Sequence, residues 1–324
     1  MPISVPKKRA RLPLPEAVYT TDFGVCLQGD SEKVIANSLL PGLKGRVDLI
    51  FTSPPFPLNR KKKYGNLQGA EYSTWLAKFG KLFSDLLTPT GSIVIEMGNA
   101  WEPGRPVMST LALRSLLMFI DSAELNLCQQ FVWHNPAKLP SPAQWVNVER
   151  IRVKDSYTHV WWLAKTDRPY ADNRQILTKY SDSMESLMAR GSYNTGRRPS
   201  QHKIGAKSFL TDNGGAIPSN VITAANTHSS SAYLTYCREN SLQPHPARMP
   251  DALAEYFIKF LTKPNMLVFD PFAGSNTTGA AAERLKRRWL SIEARTDFIE
   301  SSCGRFDNGV KPIEEDVVYK HRFP

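Results

Sequence analysis

The chain has 324 residues, 41% of them hydrophobic, which is enough for one large α/β domain or two modest ones and excludes an intrinsically disordered chain. Its formal net charge of +11 favours a polyanionic partner, although many basic proteins are simply soluble. No apolar run reaches the roughly 18 residues of a membrane span, and the four scattered cysteines lack zinc spacing, so we expect a cytoplasmic protein with reduced thiols and no metal site.

The N-terminal part begins with four cations between residues 7 and 11 among several prolines, which predicts a flexible basic arm over residues 1–15. This arm is a solvated tail, a phosphate contact or, as a third reading, a nuclear-targeting signal. Ordered patterning begins near Val18, and Gly29-Asp30-Ser31 precedes a stretch with apolar residues at helical spacing. Asp30 either caps that helix or presents its carboxylate at a strand end, where ligands of open α/β sheets bind.

An apolar run from Val47 predicts a buried strand that stops at Ser53-Pro54-Pro55-Phe56. Two consecutive prolines have no N–H for a sheet ladder, and each fixes its own φ and restricts the residue before it. The Ser53 hydroxyl, the neighbouring carbonyls and the Phe56 ring are therefore held with little conformational freedom, which suits a small planar ligand. Taken alone, such a tetrapeptide is more typical of a plain proline-rich turn.

The next elements alternate between helix and strand, which is the pattern of a parallel sheet. We expect a helix over residues 72–87, a strand over 92–98 that carries Glu96 near its end, a helix over 108–120 and a strand over 127–134. Four adjacent cations precede them and are either a solvated charge run or a DNA contact: Arg60, Lys61, Lys62 and Lys63.

The composition changes past about residue 170, and the stretch 181–220 is rich in Gly, Ser and Asn with little periodicity. A long insertion of this kind inside a compact enzyme is usually a functional loop region or a small subdomain. Its cations, interleaved with Tyr193 and Asn194, make it the best candidate for contacts to DNA bases. These cations are Arg190, Arg197, Arg198, Lys203 and Lys207.

The C-terminal part contains a second motif, which follows His245-Pro246-Ala247-Arg248-Met249-Pro250, a predicted helix over 251–261 and a predicted strand over 266–269. The strand runs into Asp270-Pro271-Phe272-Ala273-Gly274-Ser275-Asn276-Thr277-Thr278-Gly279, and we expect a helix from Ala280, so that the turn cradles a ligand. The turn lacks the spacing of the phosphate-binding and dinucleotide-binding loops, which argues against nucleotide hydrolysis and hydride transfer. Glu293, at the end of the next strand, is placed to hold a ribose diol.

The two motifs together resemble those of a known enzyme family. Asp-Pro-Phe-x-Gly-Ser-x-Thr-Thr-Gly with a strand-end Glu resembles the S-adenosylmethionine site of class I methyltransferases. Ser-Pro-Pro-Phe resembles the catalytic tetrapeptide of the amino-group DNA methyltransferases, in the form of the cytosine-N4 branch, and the motif order is that of the permuted β group. The resemblance covers nearly the whole chain. It departs at Asn276, where relatives often have Gly, but Asn tolerates positive φ.

The resemblance implies an α/β class I S-adenosylmethionine-dependent methyltransferase fold, with a mostly parallel doubly wound sheet and an inserted target-recognition region. We expect a basic arm (1–15), a catalytic half (16–170), the target-recognition insertion (171–240) and a cofactor-binding half (241–324). The implied cofactor is S-adenosylmethionine. Its predicted contacts are Asp30, Thr52, His245, Pro250, Asp270, Pro271, Phe272, Ala273, Gly274, Ser275, Thr277 and Glu293.

The implied reaction is transfer of a methyl group to N4 of a cytosine that is flipped out of duplex DNA. The Ser53 hydroxyl and the Pro54 carbonyl would accept hydrogen bonds from the N4 amine, beside Pro55, and Phe56 would stack on the base. Glu96 would orient Ser53 or accept the released proton.

We expect a monomer that acts on double-stranded DNA and binds no membrane. The match to one restriction system of this family is close enough to imply the site CAGCTG, which the protein would protect from a companion restriction endonuclease. An adenine-N6 methyltransferase, which usually has Asp at the position of Ser53, remains an alternative. So does a non-catalytic DNA-binding protein, which would keep the basic loops but does not need both motifs. A protein-glutamine methyltransferase would normally show Asn at that position and would have less need of basic loops.

Overall fold

The computed structural model describes residues 16–56, 69–193, 196–197, 203–205, 209–226 and 231–312. The predicted basic arm, the cations at 60–63, and Arg198 and Lys207 lie outside these ranges. Arg197 and Lys203 lie on the backbone of two short strands that pair with each other.

Strands and helices alternate along most of the described chain. The strands are β1 (Glu16–Thr20), β2 (Gly24–Gln28), β3 (Val47–Thr52), β4 (Leu87–Gly98), β5 (Asn126–His134), β6 (Tyr157–Ala164), β7 (Gly196–Arg197), β8 (Lys203–Ile204), β9 (Val221–Thr223), β10 (Leu267–Asp270), β11 (Arg288–Glu293) and β12 (Lys311–Pro312). The α-helices are α1 (Ser31–Val34), α2 (Leu40–Leu43), α3 (Gly69–Leu86), α4 (Leu111–Asp121), α5 (Asp182–Arg190), α6 (Ala232–Glu239), α7 (Asp251–Leu261), α8 (Thr277–Arg284) and α9 (Thr296–Ser302). Within the described ranges, no helix is long and apolar enough to cross a membrane.

Ten of these strands form one sheet, in the order β12-β1-β2-β11-β10-β3-β4-β6-β5-β9. Five neighbours, β2, β11, β10, β3 and β4, are parallel to one another, and β6 runs antiparallel to both β4 and β5. Strand β5 therefore points the same way as β4, and β9 is parallel to β5. The last residues of β3, β4, β5, β9, β10 and β11 consequently lie at one end of the sheet, here called the C-terminal end.

Alternate residues of the central strands face opposite sides of the sheet, and helices cover both sides. In β3, Ile50 packs among residues of α3 and α4, whereas Leu49 and Phe51 pack among residues of α7 and α8. All three side chains are fully buried. Burial on both faces is the reason why β3 reads as a continuous apolar run, and it confirms the predicted doubly wound α/β architecture.

The direction of the crossovers reverses between β3 and β10, which fixes where a ligand can bind. From β3 the chain passes through α3 to β4, and from β10 it passes through α8 to β11 on the other side. The two crossovers leave a crevice outside the C-terminal ends of β3 and β10, where open α/β sheets bind ligands. At the base of this crevice, Thr52 Oγ1 donates to Asp270 Oδ1 at 2.6 Å and ties the two strands together.

Most predicted elements are confirmed, but several have different ends; α3 begins at Gly69 rather than Tyr72, and α4 begins at Leu111 rather than Met108. Strand β4 begins at Leu87 rather than at Ser92. Helix α8 begins at Thr277 rather than Ala280, because Asn276 caps the helix three residues earlier.

The stretch 181–220 holds more regular structure than its composition indicates. Helix α5 forms behind Ser181, whose hydroxyl accepts from the backbone N–H of Met184, and ends at Gly191 with φ 65°. Just beyond the stretch, β9 joins the main sheet beside β5. The boundaries 171 and 240 of the target-recognition insertion stay predictions.

Candidate active site

Two cavities open at the C-terminal end of the sheet and meet at Ser53 and Phe56. The crevice cavity, of about 330 Å³, lies over the crevice between β3 and β10 and reaches Asp30 and Glu293. The loop cavity, of about 1040 Å³, lies among the loops that follow β4 and β5. Both are also lined by the segment 247–249. A group in one cavity and a group in the other would therefore face each other at Ser53.

The turn after β10 is organised by Asp270. Its carboxyl is buried, and Oδ1 accepts hydrogen bonds from Thr52 Oγ1 at 2.6 Å and from the backbone N–H of Phe272 at 3.0 Å. Burial raises the pKa of Asp270, and these bonds oppose the rise because they stabilise the carboxylate. The Phe272 ring packs against Trp75 and Phe79 of α3, which closes one wall of the crevice cavity.

The backbone of the turn borders the crevice cavity at Gly274. This residue has φ 52°, in the left-handed region that favours glycine, and a Cβ there would lie 3.1 Å from the His245 ring. Its N–H donates to Glu293 Oε2 at 2.8 Å, and the N–H of Arg295 donates to Glu293 Oε1 at 2.9 Å. Burial raises the pKa of Glu293, and the backbone donors oppose the rise. Each carboxylate oxygen keeps a lone pair for a ligand hydroxyl.

Asn276 does more than replace the glycine that relatives often have. Its backbone adopts φ 54° and ψ 41°, which confirms the predicted positive φ. Its Oδ1 accepts from the N–H of Gly279 at 3.2 Å, and its Nδ2 donates to the hydroxyl of Tyr19 at 2.8 Å. A glycine could make neither bond, so the side chain fixes both the turn and the start of α8.

The segment 245–249 forms a wall of the two cavities. The backbone N–H of His245 donates to the Tyr233 hydroxyl at 2.8 Å, and its carbonyl accepts from Arg248 Nη1 at 2.7 Å. Its ring packs edge-on against Phe298, with 4.3 Å between centroids. Burial lowers the pKa of His245 to about 4, so the ring presented to the crevice cavity is neutral near pH 7.

The register of the sheet brings Ser53 and Glu96 together. Thr52 at the end of β3 lies opposite Ile95 of β4, and the residues that follow them are in contact. Ser53 Oγ donates to Glu96 Oε2 at 2.6 Å. Because the hydroxyl proton is committed to the carboxyl group, the lone pairs of Ser53 Oγ remain available to accept a hydrogen bond from a bound group.

Glu96 is a titrating group at neutral pH. Its side chain is 2% exposed, and burial raises its pKa from 4.5 to about 7, against the opposing effect of the Ser53 hydrogen bond. The charge of Lys138, which lines the same cavity, also favours the carboxylate. A pKa near the working pH is what a proton acceptor in catalysis requires.

Phe56 lies where the two cavities meet and packs closely on the end of β4. A Cβ at Gly98 would lie 3.1 Å from Phe56 Cε2, so the ring rests on backbone that only glycine leaves open. The ring is half-buried and lines both cavities. Its plane is thus fixed while part of its surface stays available for stacking.

Most of the predicted site residues border these cavities. Ten of the twelve residues predicted for the cofactor line the crevice cavity; Thr52 lies beneath it, and Pro250 is the N-cap of α7 outside it. Asp30 combines the two roles considered for it, because it lines the cavity and caps α1 by accepting from the N–H of Lys33 at 3.0 Å. All five predicted catalytic residues line one cavity or the other. Arg190, at the end of α5, lines neither cavity.

Sequence reasoning missed much of the loop cavity. Its wall includes residues from the loop after β4 and from the β5–β6 connection, where no hydrophobic periodicity signals a site. The loop residues include Asn99, Trp101, Lys138 and Asp155, and they are joined by Trp133 at the end of β5 and Tyr157 at the start of β6. Arg248 and Met249 could have been predicted from the sequence, because they lie between His245 and Pro250 in the same motif. Only His245 and Pro250 were predicted as site residues from that motif.

Comparisons with known proteins agree with this geometry. Residues 47–303 match the family model of N6/N4 methyltransferases, described as DNA methylase. The chain is 43% identical over 304 residues to the Type II methyltransferase M.PvuII of Proteus hauseri, covering 93% of this chain and 89% of that protein. It is similar to the structure of PvuII DNA methyltransferase (cytosine-N4-specific), with a TM-score of 0.72, 35% identity, and coverage of 94% of this chain and 92% of that one. The structure of the M1.HpyAVI–SAM complex shares the fold, with a TM-score of 0.50 and 18% identity over 87% of this chain and 98% of that one.

Proposed function

The chain belongs to the N6/N4 DNA methylase family, and on that premise we propose that it transfers a methyl group from S-adenosylmethionine to N4 of a cytosine in duplex DNA. The observation that carries the proposal is the Ser53–Glu96 hydrogen bond at the junction of the two cavities. Cytosine N4 is proposed as the acceptor because the similar PvuII enzyme is cytosine-N4-specific and because position 53 is Ser.

The crevice cavity fits S-adenosylmethionine by the chemistry of its lining. Glu293 keeps lone pairs for the two ribose hydroxyls, and the Asp30 carboxylate can accept from the adenine amine. Gly274 borders the cavity with backbone alone, which leaves room for the methionine end. The volume of about 330 Å³ falls in the range of small-molecule sites, roughly 300–1,000 Å³. When bound, S-adenosylmethionine supplies an activated methyl group.

The main chemical obstacle to the reaction is that the N4 lone pair is delocalised into the cytosine ring. The residues at the junction can reduce this delocalisation. Ser53 Oγ and the Pro54 carbonyl accept hydrogen bonds from the two N4 hydrogens and hold N4 closer to sp³ geometry, so that its lone pair points to the methyl group. Positive charge then develops on N4, and both acceptors stabilise it. One N4 proton is released as the methyl group is transferred, and Glu96 takes it through Ser53 because its pKa is about 7.

The loop cavity takes the cytosine. The target atom is inaccessible inside a stacked duplex, so the base has to be extruded before it reaches Ser53. The cavity of about 1040 Å³ has room for a nucleotide, and Phe56 at its inner end provides an aromatic face for the base.

Analysis of methylated nucleosides tests this function directly. After incubation of the protein with duplex DNA and S-adenosylmethionine, we expect N4-methylcytosine. N6-methyladenine would favour the adenine alternative, and absence of any methylated nucleoside would favour a non-catalytic DNA-binding protein. Mapping the methylated position tests the predicted site CAGCTG, and equal methylation of DNA that lacks this sequence would exclude it.

The biological setting is proposed on the same basis. A type II methyltransferase protects DNA from an endonuclease that cuts the same sequence, and we propose this role for the chain, in the cytoplasm and as a monomer. One methyl group per visit to each strand suffices for a palindromic site, so the reaction does not require a dimer.

The pH dependence of the single-turnover rate tests the role of Glu96. The rate is expected to rise with pH and to level off above about 7, because only the carboxylate can take the proton from Ser53. Each pH unit below the pKa lowers the carboxylate fraction about tenfold. Glu96→Gln is expected to turn over slowly and without this rise. Rapid-quench measurements between pH 5.5 and 8.5 check the prediction, and identical profiles for both proteins would contradict it.

Substitution of Phe56 tests the stacking role. Phe56→Ala is expected to weaken capture of the extruded cytosine by about 1–3 kcal/mol, the usual value for one base stacked on an aromatic side chain. Phe56→Trp offers another aromatic face and should largely preserve capture. The measurement is the fluorescence of an unstacked cytosine analogue at the target position. Equal capture by the Ala and Trp variants would refute stacking.

A further inference from the structure

The 22-residue connection between β5 and β6, residues 135–156, has features that the site described above does not use. This β5–β6 loop leaves and rejoins the sheet at the C-terminal end, where the N–H of Asn135 donates to the carbonyl of Ser156 at 2.8 Å. Its inner side lines the loop cavity through Asn135, Lys138 and the segment 141–145. The loop therefore stands at the mouth through which a base would enter.

The outer side of the loop carries several exposed apolar side chains. Among the described residues, thirteen large hydrophobic side chains are exposed, and four of them lie within residues 139–153. Leu139 is 80% exposed, Val148 67%, Ile151 48% and Val153 86%. Single exposed hydrophobic residues are ordinary, but a concentration of them beside a functional cavity marks an interaction surface.

The same segment is basic, which selects the kind of partner. The run Arg150-Ile151-Arg152-Val153-Lys154 alternates cations with β-branched residues, and the whole loop has four cations against two acids. Arg150 is exposed and has no hydrogen bond or ion pair with a described residue. Cations contact phosphates whatever the sequence, so basic and aliphatic side chains side by side suit a nucleic acid whose stacked bases have been opened.

The loop is held in a defined shape. Arg152 Nε donates to the carbonyl of Pro106 at 3.0 Å, and Lys154 Nζ donates to the carbonyl of Pro136 at 3.1 Å. The backbone N–H of Ile151 donates to the carbonyl of Trp145 at 2.9 Å, across a π-helix at Gln144–Val148. A loop that is fixed in this way can hold exposed aliphatic side chains against a partner without first having to order itself.

We propose that the β5–β6 loop is a DNA wedge, in which Leu139 and Val153 enter the space that the extruded cytosine leaves in the duplex while Arg150 contacts a phosphate. Aliphatic side chains inserted between base steps stabilise opened DNA in other proteins, because they replace part of the lost stacking. The inference rests on the proposed function, since such a gap forms only when a base leaves the stack.

The test compares two duplexes that differ in the free energy needed to extrude the target cytosine. One carries the target cytosine, located by product mapping, opposite guanine; the other carries it opposite an abasic site. The double variant Leu139→Ala, Val153→Ala is expected to lose roughly tenfold in single-turnover rate on the paired duplex and less than about twofold on the abasic duplex. Both side chains are more than three-quarters exposed, so their truncation leaves the core intact. Leu117→Ala, 60% exposed on α4, is the matched control and should match the unaltered protein on both duplexes.

The proposed contact between Arg150 and a DNA phosphate is tested by the salt dependence of DNA binding. Arg150→Ala is expected to weaken binding to DNA of any sequence and to lower the slope of log affinity against log salt by about one. Arg114→Ala, an exposed arginine on α4, should leave the slope unchanged.

Failure of the wedge can be told apart from failure of the proposed function. If the unaltered protein methylates no cytosine, the function is wrong. If it does, and the double variant is as fast as the unaltered protein on the paired duplex, the wedge is wrong. Equal loss on both duplexes would also overturn it, because that pattern reports a defect in catalysis rather than in extrusion.

Discussion

Ser53→Ala is expected to lower the single-turnover rate of methyl transfer by roughly 10²-fold or more, while the protein still folds and binds S-adenosylmethionine and DNA. The variant loses the acceptor that stabilises charge developing on N4 and the path by which the proton reaches Glu96 at 2.6 Å. Both contributions act in the transition state, so the loss should appear in the rate and not in substrate affinity. Ser53 is half-buried in a loop, and loss of its hydroxyl leaves no cavity in the core.

Two controls sharpen this experiment. Ser73→Ala removes the hydroxyl of a buried Ser73–Ser115 hydrogen bond of 2.8 Å between α3 and α4, and it should affect stability but not the rate of the folded enzyme. The double variant Ser53→Ala, Glu96→Gln should be little slower than Ser53→Ala, since residues that act as one unit are strongly non-additive. An undiminished rate in Ser53→Ala, or fully additive losses in the double variant, would contradict the assigned roles.

The energetics of Glu96 support a chemical role for this residue. A folded-state pKa raised from 4.5 to about 7 means that protonation favours the folded protein. The contribution of Glu96 to stability is therefore fully present below pH 4.5 and is lost as pH rises through about 7, a change of about 3 kcal/mol. A side chain that opposes folding at neutral pH is typical of an active site, where function and stability conflict.

The parts of the fold that the sequence predicts well are those with local signals. Strand β3 ends where two prolines remove ladder donors, and the turn after β10 follows from an apolar run that meets Gly274 and a polar cap. The contact between Ser53 and Glu96 is of another kind, because it depends on the β3–β4 register, in which Thr52 lies opposite Ile95. The sequence predicts that both residues lie near strand ends, but the distance between them cannot be predicted without the register.

The loops show the limits of sequence reasoning more plainly. Residues 135–156 have no hydrophobic period, since their shape depends on contacts such as that between Arg152 and the carbonyl of Pro106, 46 residues away in the chain. Helix α5 is a different case. Ser181 as N-cap and Gly191 at positive φ are recognisable helix signals, but a Gly-, Ser- and Asn-rich surrounding obscured them.

Gly274→Leu is expected to abolish binding of S-adenosylmethionine, by roughly 10²-fold or more in affinity, while the protein remains folded. The side chain would start 3.1 Å from the His245 ring, which lines the crevice cavity, and would fill the space between that ring and the turn. The residue also has φ 52°, and an L-residue in this region costs about 1–2 kcal/mol. Displacement of the turn would further break the hydrogen bond from its N–H to Glu293, the proposed ribose ligand.

Gly45→Leu separates these two effects. Gly45 has φ 72°, and a Cβ there has nothing within 4 Å, so the substitution imposes similar backbone strain in open space. Titration calorimetry with S-adenosylmethionine should show normal affinity for Gly45→Leu and none for Gly274→Leu, at comparable melting temperatures. If Gly274→Leu binds the cofactor as tightly as Gly45→Leu does, the crevice cavity is not the cofactor site. If both variants lose binding together with their folded structure, backbone strain rather than occupied space accounts for the effect.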